Sequence, residues 1–191
     1  MEQGKILLAM KSDAAISKLK AILVESRYQI IDQAKAGNEC LRKMRSYKTD
    51  IAIIDFNLPG VNGFEVAKIA VEDKLCDVIL IMNNDQKNSI NYINYEYDFN
   101  IITTPINKTT FINTVELTIK NRIKVIKLEQ EIQKLKKALD SRKDIEKAKW
   151  VLMKHMKLTE EDAFKKIQKQ SMDTGTSMKE IAKAIILSYK V

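Results

Sequence analysis

The stretch IAIIDFNLPGVNG at residues 51–63 decides the fold of this chain. It begins as a short apolar run, which is typical of a strand buried on both faces of a parallel sheet. The run ends at Asp55, and a turn rich in Asn, Pro and Gly follows. In sheets wrapped by helices, reactive side chains lie at the carboxyl ends of the strands. We therefore expect Asp55 to lie in a crevice at that edge.

Further apolar runs on either side predict the rest of the sheet. The candidate strands are KILLAM (5–10), YQIID (28–32), VILIM (78–82) and NIITT (100–104). Apolar residues recur at helical spacing between them, namely Ala15, Leu19, Ile22 and Leu23, then Cys40, Leu41 and Met44, then Val66, Ile69 and Ala70. Five strands alternating with helices predict an α/β doubly wound, flavodoxin-like fold.

A long helix is predicted from Lys108 toward Leu139. Apolar residues in its second half step by three and four between charged neighbours, as in a heptad seam. The seam residues are Val125, Leu128, Ile132, Leu135 and Leu139. The pattern predicts a short coiled coil and a parallel homodimer. Because the seam spans about two heptads, a helix packed back on its own N-terminal domain remains the alternative.

Three short helices are predicted after this seam, from a hydroxyl residue with an acid three positions later. These pairs are Ser141 with Asp144, Thr159 with Asp162, and Ser177 with Glu180. Apolar residues expected to close the bundle are Ile145, Ala148, Leu152, Met156, Ala163, Phe164, Ile167, Met178, Ile181, Ala182 and Ile185. Methionines, including Met10, Met44, Met82 and Met153, are expected to fill cores. No clear helix-turn-helix glycine turn is expected.

The net charge of +8 is confined to the C-terminal part of the chain. Residues 1–110 contain equal numbers of basic and acidic side chains, so the whole excess lies in residues 111–191. This polarisation favours a polyanion partner for that part. A lysine-rich solvated helix surface would give the same count.

Several kinds of protein are not expected. No apolar stretch is long enough for a membrane span or has the form of an export signal, so we expect a cytoplasmic protein without membrane contact. Cys40 and Cys76 have no CxxC spacing or histidine partner, and we expect ordinary thiols. The single histidine, His155, excludes a histidine dyad or histidine-based metal cluster, and we expect it at the surface.

A basic stripe with one aromatic ring is predicted on the helix that follows Ser141. At 100° per residue, Lys143, Lys147, Trp150 and Lys154 share the side opposite its apolar residues. Lysines can follow phosphates while a ring holds an unstacked base, which suits single-stranded RNA loops. Packing of Trp150 against the long helix or a dimer mate is favoured over base stacking, because large rings are seldom left in water.

Other basic residues extend this candidate RNA surface. Arg142 and Lys149 lie nearer the apolar edge, where a long stem can cover the core while its charged head stays in water. Both are expected to serve packing and RNA binding. Lys165 and Lys169, with Lys166 between them, add charge on the next helix; taken alone they are typical of a solvated face.

Residues 51–63, with five strands in the expected order, resemble the phosphoacceptor region of response-regulator receiver domains. The resemblance covers residues 1 to about 120 and implies that Asp55 holds the phosphoacceptor position. The family's other active positions are altered. Met10 and Lys11 replace its acidic pair, Met82 replaces its hydroxyl residue, and Thr104 replaces its lysine.

These changes predict a degenerate receiver that is phosphorylated poorly or not at all. Phosphoryl transfer to a carboxylate needs a divalent cation to neutralise the developing charge. Asp55 and a backbone carbonyl near Asn57 would hold Mg²⁺ almost alone, so we expect no cofactor, or Mg²⁺ bound weakly. Lys11 could partly neutralise Asp55 directly, and Asp13 is expected at the start of a helix capped by Ser12.

The C-terminal stretch is similar to the ANTAR module, an RNA-binding antitermination domain found behind receivers. The matched residues are Ala138, Leu139, Ser141, Arg142, Ile145, Ala148, Lys149, Leu152, Met153, the EEDAF segment at 160–164, Ile181 and Ala182. The resemblance implies binding to paired stem-loops of a nascent transcript, which prevents a terminator from forming. Trp150 departs from the family, which has a small residue there.

Three regions are therefore predicted: a receiver-like domain at 1–120, a dimerising coiled coil at 121–140 and an ANTAR-like RNA-binding bundle at 141–191. The predicted protein is a dimeric antitermination regulator, not an enzyme, which receives its signal from a regulatory protein or sensor kinase. The alternative is a phosphorylation-dependent DNA-binding response regulator, which a basic helical domain alone would equally permit.

Overall fold

The computed structural model describes residues 4–90 and 99–189. The chain divides into two compact units, Met1–Val125 and Ile126–Val191, called unit 1 and unit 2 below. Within the described ranges, no helix combines the length and the apolar composition that crossing a membrane requires.

Unit 1 contains a parallel five-stranded sheet among its described residues. The strands are β1 (Lys5–Ala9), β2 (Gln29–Ala34), β3 (Ile51–Asp55), β4 (Asp77–Met82) and β5 (Asn100–Thr103). The helices between them are α1 (Asp13–Glu25), α2 (Gly37–Ser46), α3 (Gly63–Glu72) and α4 (Asn84–Ile90). The strand order β2-β1-β3-β4-β5 is the flavodoxin-like one, which confirms the predicted fold class.

Side chains of the sheet are buried on both faces. In β1, Leu7 packs into the cluster on one face and Leu8 into the cluster on the other. The beginning of α5 (Lys108–Met156) covers the second face with the buried side chains of Phe111 and Val115. Burial on both faces explains why the strands read as continuous apolar runs instead of alternating ones.

Helix α5 runs without interruption from Lys108 to Met156, so the prediction of a new helix beginning at Ser141 is wrong. Residues 137–147 contain neither Gly nor Pro, so nothing in that segment stops the helix. A hydroxyl followed by an acid caps a helix only where the preceding backbone has left the helical conformation. The helix ends at Lys157, whose φ of 54° is left-handed.

Helices α6 (Glu160–Thr174) and α7 (Met178–Ser188) begin at the two predicted caps. The hydroxyl of Thr159 accepts a hydrogen bond from the backbone N–H of Asp162, and Ser177 forms a full capping box with Glu180. Gly175, with φ of 64°, begins the short turn between the two helices. This glycine turn contradicts the expectation that the bundle has none.

Unit 2 has its own core where α5, α6 and α7 meet. The buried residues are Ala148, Val151, Leu152, Ala163, Ile167, Ile181, Ala182 and Ile185. Ile145 and Met178 are half-buried against this core. Phe164, Met153 and Met156 are exposed, which contradicts the predicted core positions. Phe164 lies about 100° around α6 from buried Ala163, and Met156 is the last residue of α5.

Candidate functional sites

Asp55 lies at the carboxyl end of β3, where the strand order reverses between β1 and β3. Its Oδ1 accepts a hydrogen bond from the backbone N–H of Asn57 at 2.9 Å. The turn then folds back, and the N–H of Gly63 donates to the carbonyl of Phe56 at 2.9 Å. A Cβ at position 63 would lie 2.0 Å from the Asp55 carbonyl oxygen, so this approach requires glycine. The carboxylate is thus held at the crevice, as predicted.

Met10, Lys11, Met82 and Thr104 end or directly follow strands β1, β4 and β5, at the same edge of the sheet as Asp55. Met10 and Met82 are both buried at the ends of β1 and β4, as predicted for core methionines. Thr104 is exposed, and its N–H donates to the carbonyl of Met82 at 2.8 Å. Lys11 is exposed and forms no ion pair with Asp55, so the expected direct neutralisation of the carboxylate is absent.

The side chains at this edge do not fit a magnesium site. Mg²⁺ requires near-octahedral oxygen coordination, whereas Met10 offers a thioether and Lys11 a cation. Asp13, at the start of α1 beside the cap Ser12, is paired with Lys35 at 2.7 Å. Across residues 4–90 and 99–189, no group of three or more His, Cys, Asp or Glu side chains could hold a metal ion. Asp55 therefore belongs to no such group among these residues.

A polar link that the sequence did not indicate joins the β3–α3 turn to α4. The Nε2 of Gln86 donates to the Oδ1 of Asn57 at 2.9 Å. Gln86 also exchanges two hydrogen bonds with Asn83, at 2.8 and 2.9 Å, in the manner of a capping box. The spacing of Asn83 and Gln86 could have indicated the start of α4, but the bond to Asn57 joins distant parts of the chain. This network connects α4 to the turn that holds Asp55.

A basic face lies on the part of α5 that belongs to unit 2. Lys143, Lys147, Trp150 and Lys154 lie within about 60° of one another around the helix axis and are all exposed. The Nζ of Lys154 lies 4.8 Å from the centroid of the Trp150 ring. Arg142 is also exposed. None of these four cations forms an ion pair with a described residue, so their charges are available to a ligand.

The ammonium group of Lys149 is ion-paired instead of solvated by water, which corrects the expectation that it remains in water. Its side chain is 9% exposed, and its Nζ lies 2.7 Å from carboxylate oxygens of both Glu146 and Glu160. Lys149 donates hydrogen bonds to both carboxylates, and these bonds, with Glu146 the larger cause and Glu160 the next, raise the pKa of Lys149 above its ordinary value. Because Glu160 is the first residue of α6, the ion pair links α5 to α6. Lys149 therefore positions two helices of unit 2.

Lys149→Ala is expected to lower the free energy of unfolding of unit 2 by about 1–2 kcal/mol, whereas Lys149→Met costs less than half of that. Both glutamates are mostly exposed, so water can solvate them once the ammonium is removed. The buried stem is the larger contribution, and methionine retains most of it. Urea titration followed by the fluorescence of Trp150, the single tryptophan, reports this unit. Equal losses in both variants would mean that the charge pairs dominate.

The three lysines of α6 differ in whether their charge is paired. Lys165 pairs with Glu161 at 2.6 Å, one turn earlier on the same helix. The Nζ of Lys166 lies 3.2 Å from the sulfur of Met156. Lys169 is exposed and has no ion pair within the described part of the chain. Of these three, Lys169 keeps the most available charge.

The predicted seam is exposed along α5. All residues from 127 to 140 are exposed. The five seam side chains, at positions 125, 128, 132, 135 and 139, are between 46% and 59% exposed. A stripe of large apolar side chains on one side of an exposed helix is typical of an association surface.

Both cysteines and the histidine behave as predicted from the sequence. Cys40 and Cys76 are buried, and burial raises the pKa of each thiol to about 12. They are therefore protonated and unreactive at neutral pH. His155 is exposed, and its ring stacks on that of Tyr189 with a centroid distance of 4.8 Å.

Two protein families match this chain in succession. Residues 6–116 match the response regulator receiver domain, and residues 133–186 match the ANTAR domain. The receiver match covers more than half of the chain. The change from one family to the other falls within α5, near the division between the two units.

Individual proteins match either nearly the whole chain or its N-terminal part. Transcriptional regulatory protein PdtaR of Mycobacterium tuberculosis is 26% identical over 182 residues, which cover 95% of this chain and 89% of that protein. Protein PilH of Pseudomonas aeruginosa is 24% identical over 115 residues, which cover 59% of this chain and 94% of that protein. A CheY-like receiver domain from Methanospirillum hungatei JF-1 superposes with a TM-score of 0.56 at 22% identity, covering 64% of this chain and 98% of that structure. The chain therefore belongs to the response regulators, with an N-terminal receiver domain followed by a C-terminal ANTAR domain.

Proposed function

We propose that this response regulator is a dimeric RNA-binding protein that acts by transcription antitermination and is controlled through a degenerate receiver. The observation that carries the proposal is the unpaired basic face of α5, formed by Lys143, Lys147 and Lys154 around the Trp150 ring, with exposed and unpaired Arg142 next to it in the sequence. Unpaired cations on a rigid helix bind phosphates without first breaking an internal ion pair. Lys169 on α6 extends the same positive charge.

The positions of the cations favour RNA over duplex DNA as the ligand. The turn at Gly175 gives α6 and α7 the connection of a helix-turn-helix, whose second helix would enter a major groove. That helix, α7, carries Lys179 and Lys183 along its described length, whereas the dense basic face lies on α5. An aromatic ring amid lysines suits the unstacked bases of RNA loops.

Selection from a pool of hairpin RNAs with one common stem and a randomised loop tests this proposal. We expect the full-length protein to enrich a subset of loops and to bind them more tightly than duplex DNA of the same sequences. Affinity should fall steeply with salt. Preferential retention of duplex DNA would instead support a DNA-binding response regulator. A reporter with a terminator downstream of an enriched hairpin pair then measures antitermination directly.

The dimer in this proposal forms through the exposed seam on α5. Two modules on parallel helices would let one dimer bind two stem-loops of the same transcript and gain avidity. The receiver would control the arrangement of the dimer through a partner protein or through a change in packing. A degenerate receiver retains the surfaces needed for either kind of control.

Acetyl phosphate, or the phosphoryl analogue beryllofluoride, is expected to leave the protein unmodified at Asp55 and its RNA affinity unchanged. Among the described residues, Asp55 belongs to no group of three or more His, Cys, Asp or Glu side chains that could hold a metal ion, and buried Met82 offers no hydroxyl to contact an incoming phosphoryl group. Intact mass, sedimentation and hairpin binding measure the three consequences. Asp55→Asn serves as the matched control and should behave like the unmodified protein. Stoichiometric phosphorylation with a large gain in RNA affinity would restore an ordinary phosphorelay output.

A further inference from the structure

Trp150 lines a small cavity on the surface of unit 2. The cavity has a volume of about 230 Å³ and is lined by Lys147, Trp150 and Val151 of α5 and by Ile186 of α7. It is smaller than the roughly 300–1,000 Å³ of a site for a drug-sized ligand. Its size therefore suits a single ring system instead of a whole cofactor.

The walls of this cavity are apolar and its surroundings are positive. Val151 is buried and Ile186 half-buried, while Trp150 is 52% exposed. Lys147 lies in the wall, and Lys154 lies over the ring. A planar, weakly polar group attached to a negatively charged chain matches both properties, and a nucleobase on its phosphate backbone is such a group.

A second copy of the chain matches this surface poorly. A two-fold contact would bring the same lysines of both copies together, and like charges repel. Glu146, one turn before the ring, is already paired with Lys149. The heptad positions after Leu139 are occupied by Arg142, Glu146 and Lys149, so the apolar seam ends before it reaches Trp150.

We propose that the cavity beside Trp150 binds one unstacked base of an RNA loop, stacked on the indole ring, while Lys147 and Lys154 bind the flanking phosphates. This inference rests on the proposed RNA-binding function and assigns it a base-binding subsite. Stacking on an aromatic ring accepts any base face. The subsite therefore contributes affinity for single-stranded RNA, and loop sequence is read elsewhere.

The test uses two labelled oligonucleotides with equal phosphate counts, a ten-nucleotide adenosine RNA and an abasic chain of the same length. We expect the adenosine RNA to quench the fluorescence of Trp150, the single tryptophan, in the full-length protein. The abasic chain should bind more weakly and leave the fluorescence unchanged. Anisotropy of the label measures binding independently of the tryptophan.

Variants distinguish the contribution of the Trp150 ring to binding from that of the lysine charges. Trp150→Leu should weaken binding of the adenosine RNA about tenfold, the loss expected for one stacked base, and leave abasic binding unchanged. Trp150→Phe should retain most of the affinity because it keeps an aromatic face. Lys147→Gln should weaken both oligonucleotides alike and reduce the salt dependence. Helicity by circular dichroism verifies that each variant is folded.

Some results would overturn the base-binding subsite and leave the proposed function intact. One is tight hairpin binding without quenching of Trp150, and another is wild-type affinity in Trp150→Leu. A third is quenching that rises with protein concentration alone, since a second copy would then cover the ring. Failure of the wild-type protein to bind any RNA would remove both the subsite and the proposed function.

Discussion

Hairpin RNA affinity is expected to fall by about 100-fold or more at 0.1 M salt when Arg142, Lys143 and Lys147 are all replaced by glutamine. Each phosphate contact to single-stranded nucleic acid contributes a slope of about 0.7 to the dependence of log affinity on log salt, or about fivefold at this concentration. The three side chains are exposed and unpaired, so their loss leaves no buried charge behind and the fold is retained. The salt slope should decrease by about two.

A matched control distinguishes the effect of local contacts on RNA affinity from the effect of net charge. Lys127, Lys134 and Lys137 are exposed on the bare part of α5, away from both the seam and the basic face. Replacing these three with glutamine removes the same total charge. We expect less than about a threefold loss of affinity, because the Debye length at this ionic strength is about 10 Å. Comparable losses in the two triple variants would mean that RNA binds through general attraction, and the site would then be misassigned.

Leu135→Asp is expected to weaken dimerisation by at least about 100-fold. Two carboxylates would face each other at the seam, and removing an ion from water costs several kcal/mol, where 1.4 kcal/mol is a factor of ten. Sedimentation across a wide range of protein concentration measures the change. Gln130→Asp introduces the same side chain at the outer heptad position and should leave the dimer intact.

RNA binding should respond to this change in a specific way. An RNA with two hairpins gains avidity from a dimer, of the order of 100-fold or more, whereas an RNA with one hairpin does not. Leu135→Asp should therefore weaken the two-hairpin RNA strongly and the single hairpin little. If the wild-type protein is monomeric at high concentration and Leu135→Asp changes nothing, the seam is an internal packing face instead.

These two predictions concern different parts of the same helix. The seam ends at Leu139 and the basic face begins at Lys143, with α5 continuous between them. Both surfaces therefore lie on one helix, as the proposed dimer requires.

Local patterns explain why most elements could be predicted. Strands buried on both faces leave continuous apolar runs, and a hydroxyl or amide cap leaves a short signature. Thr159 and Ser177 cap helices as predicted because each follows a residue with left-handed backbone, Lys157 and Gly175, at which the preceding helix ends. Ser141 has a similar spacing without an interruption. A cap signature indicates where a helix can begin. Only a signal that ends the preceding helix requires that a new helix begins there.

Sequence by itself determined the doubly wound sheet, the place of Asp55 at the end of β3, the loss of its acidic neighbours and the confinement of positive charge to the C-terminal part. Each of these depends on residue type or on a short period along the chain. Tertiary structure alone decided that Lys149 is an ion-paired link, that Gln86 binds Asn57 and that Trp150 borders an open cavity with Ile186. These outcomes depend on side chains from different elements, whose approach follows from packing and leaves no periodic trace in the sequence.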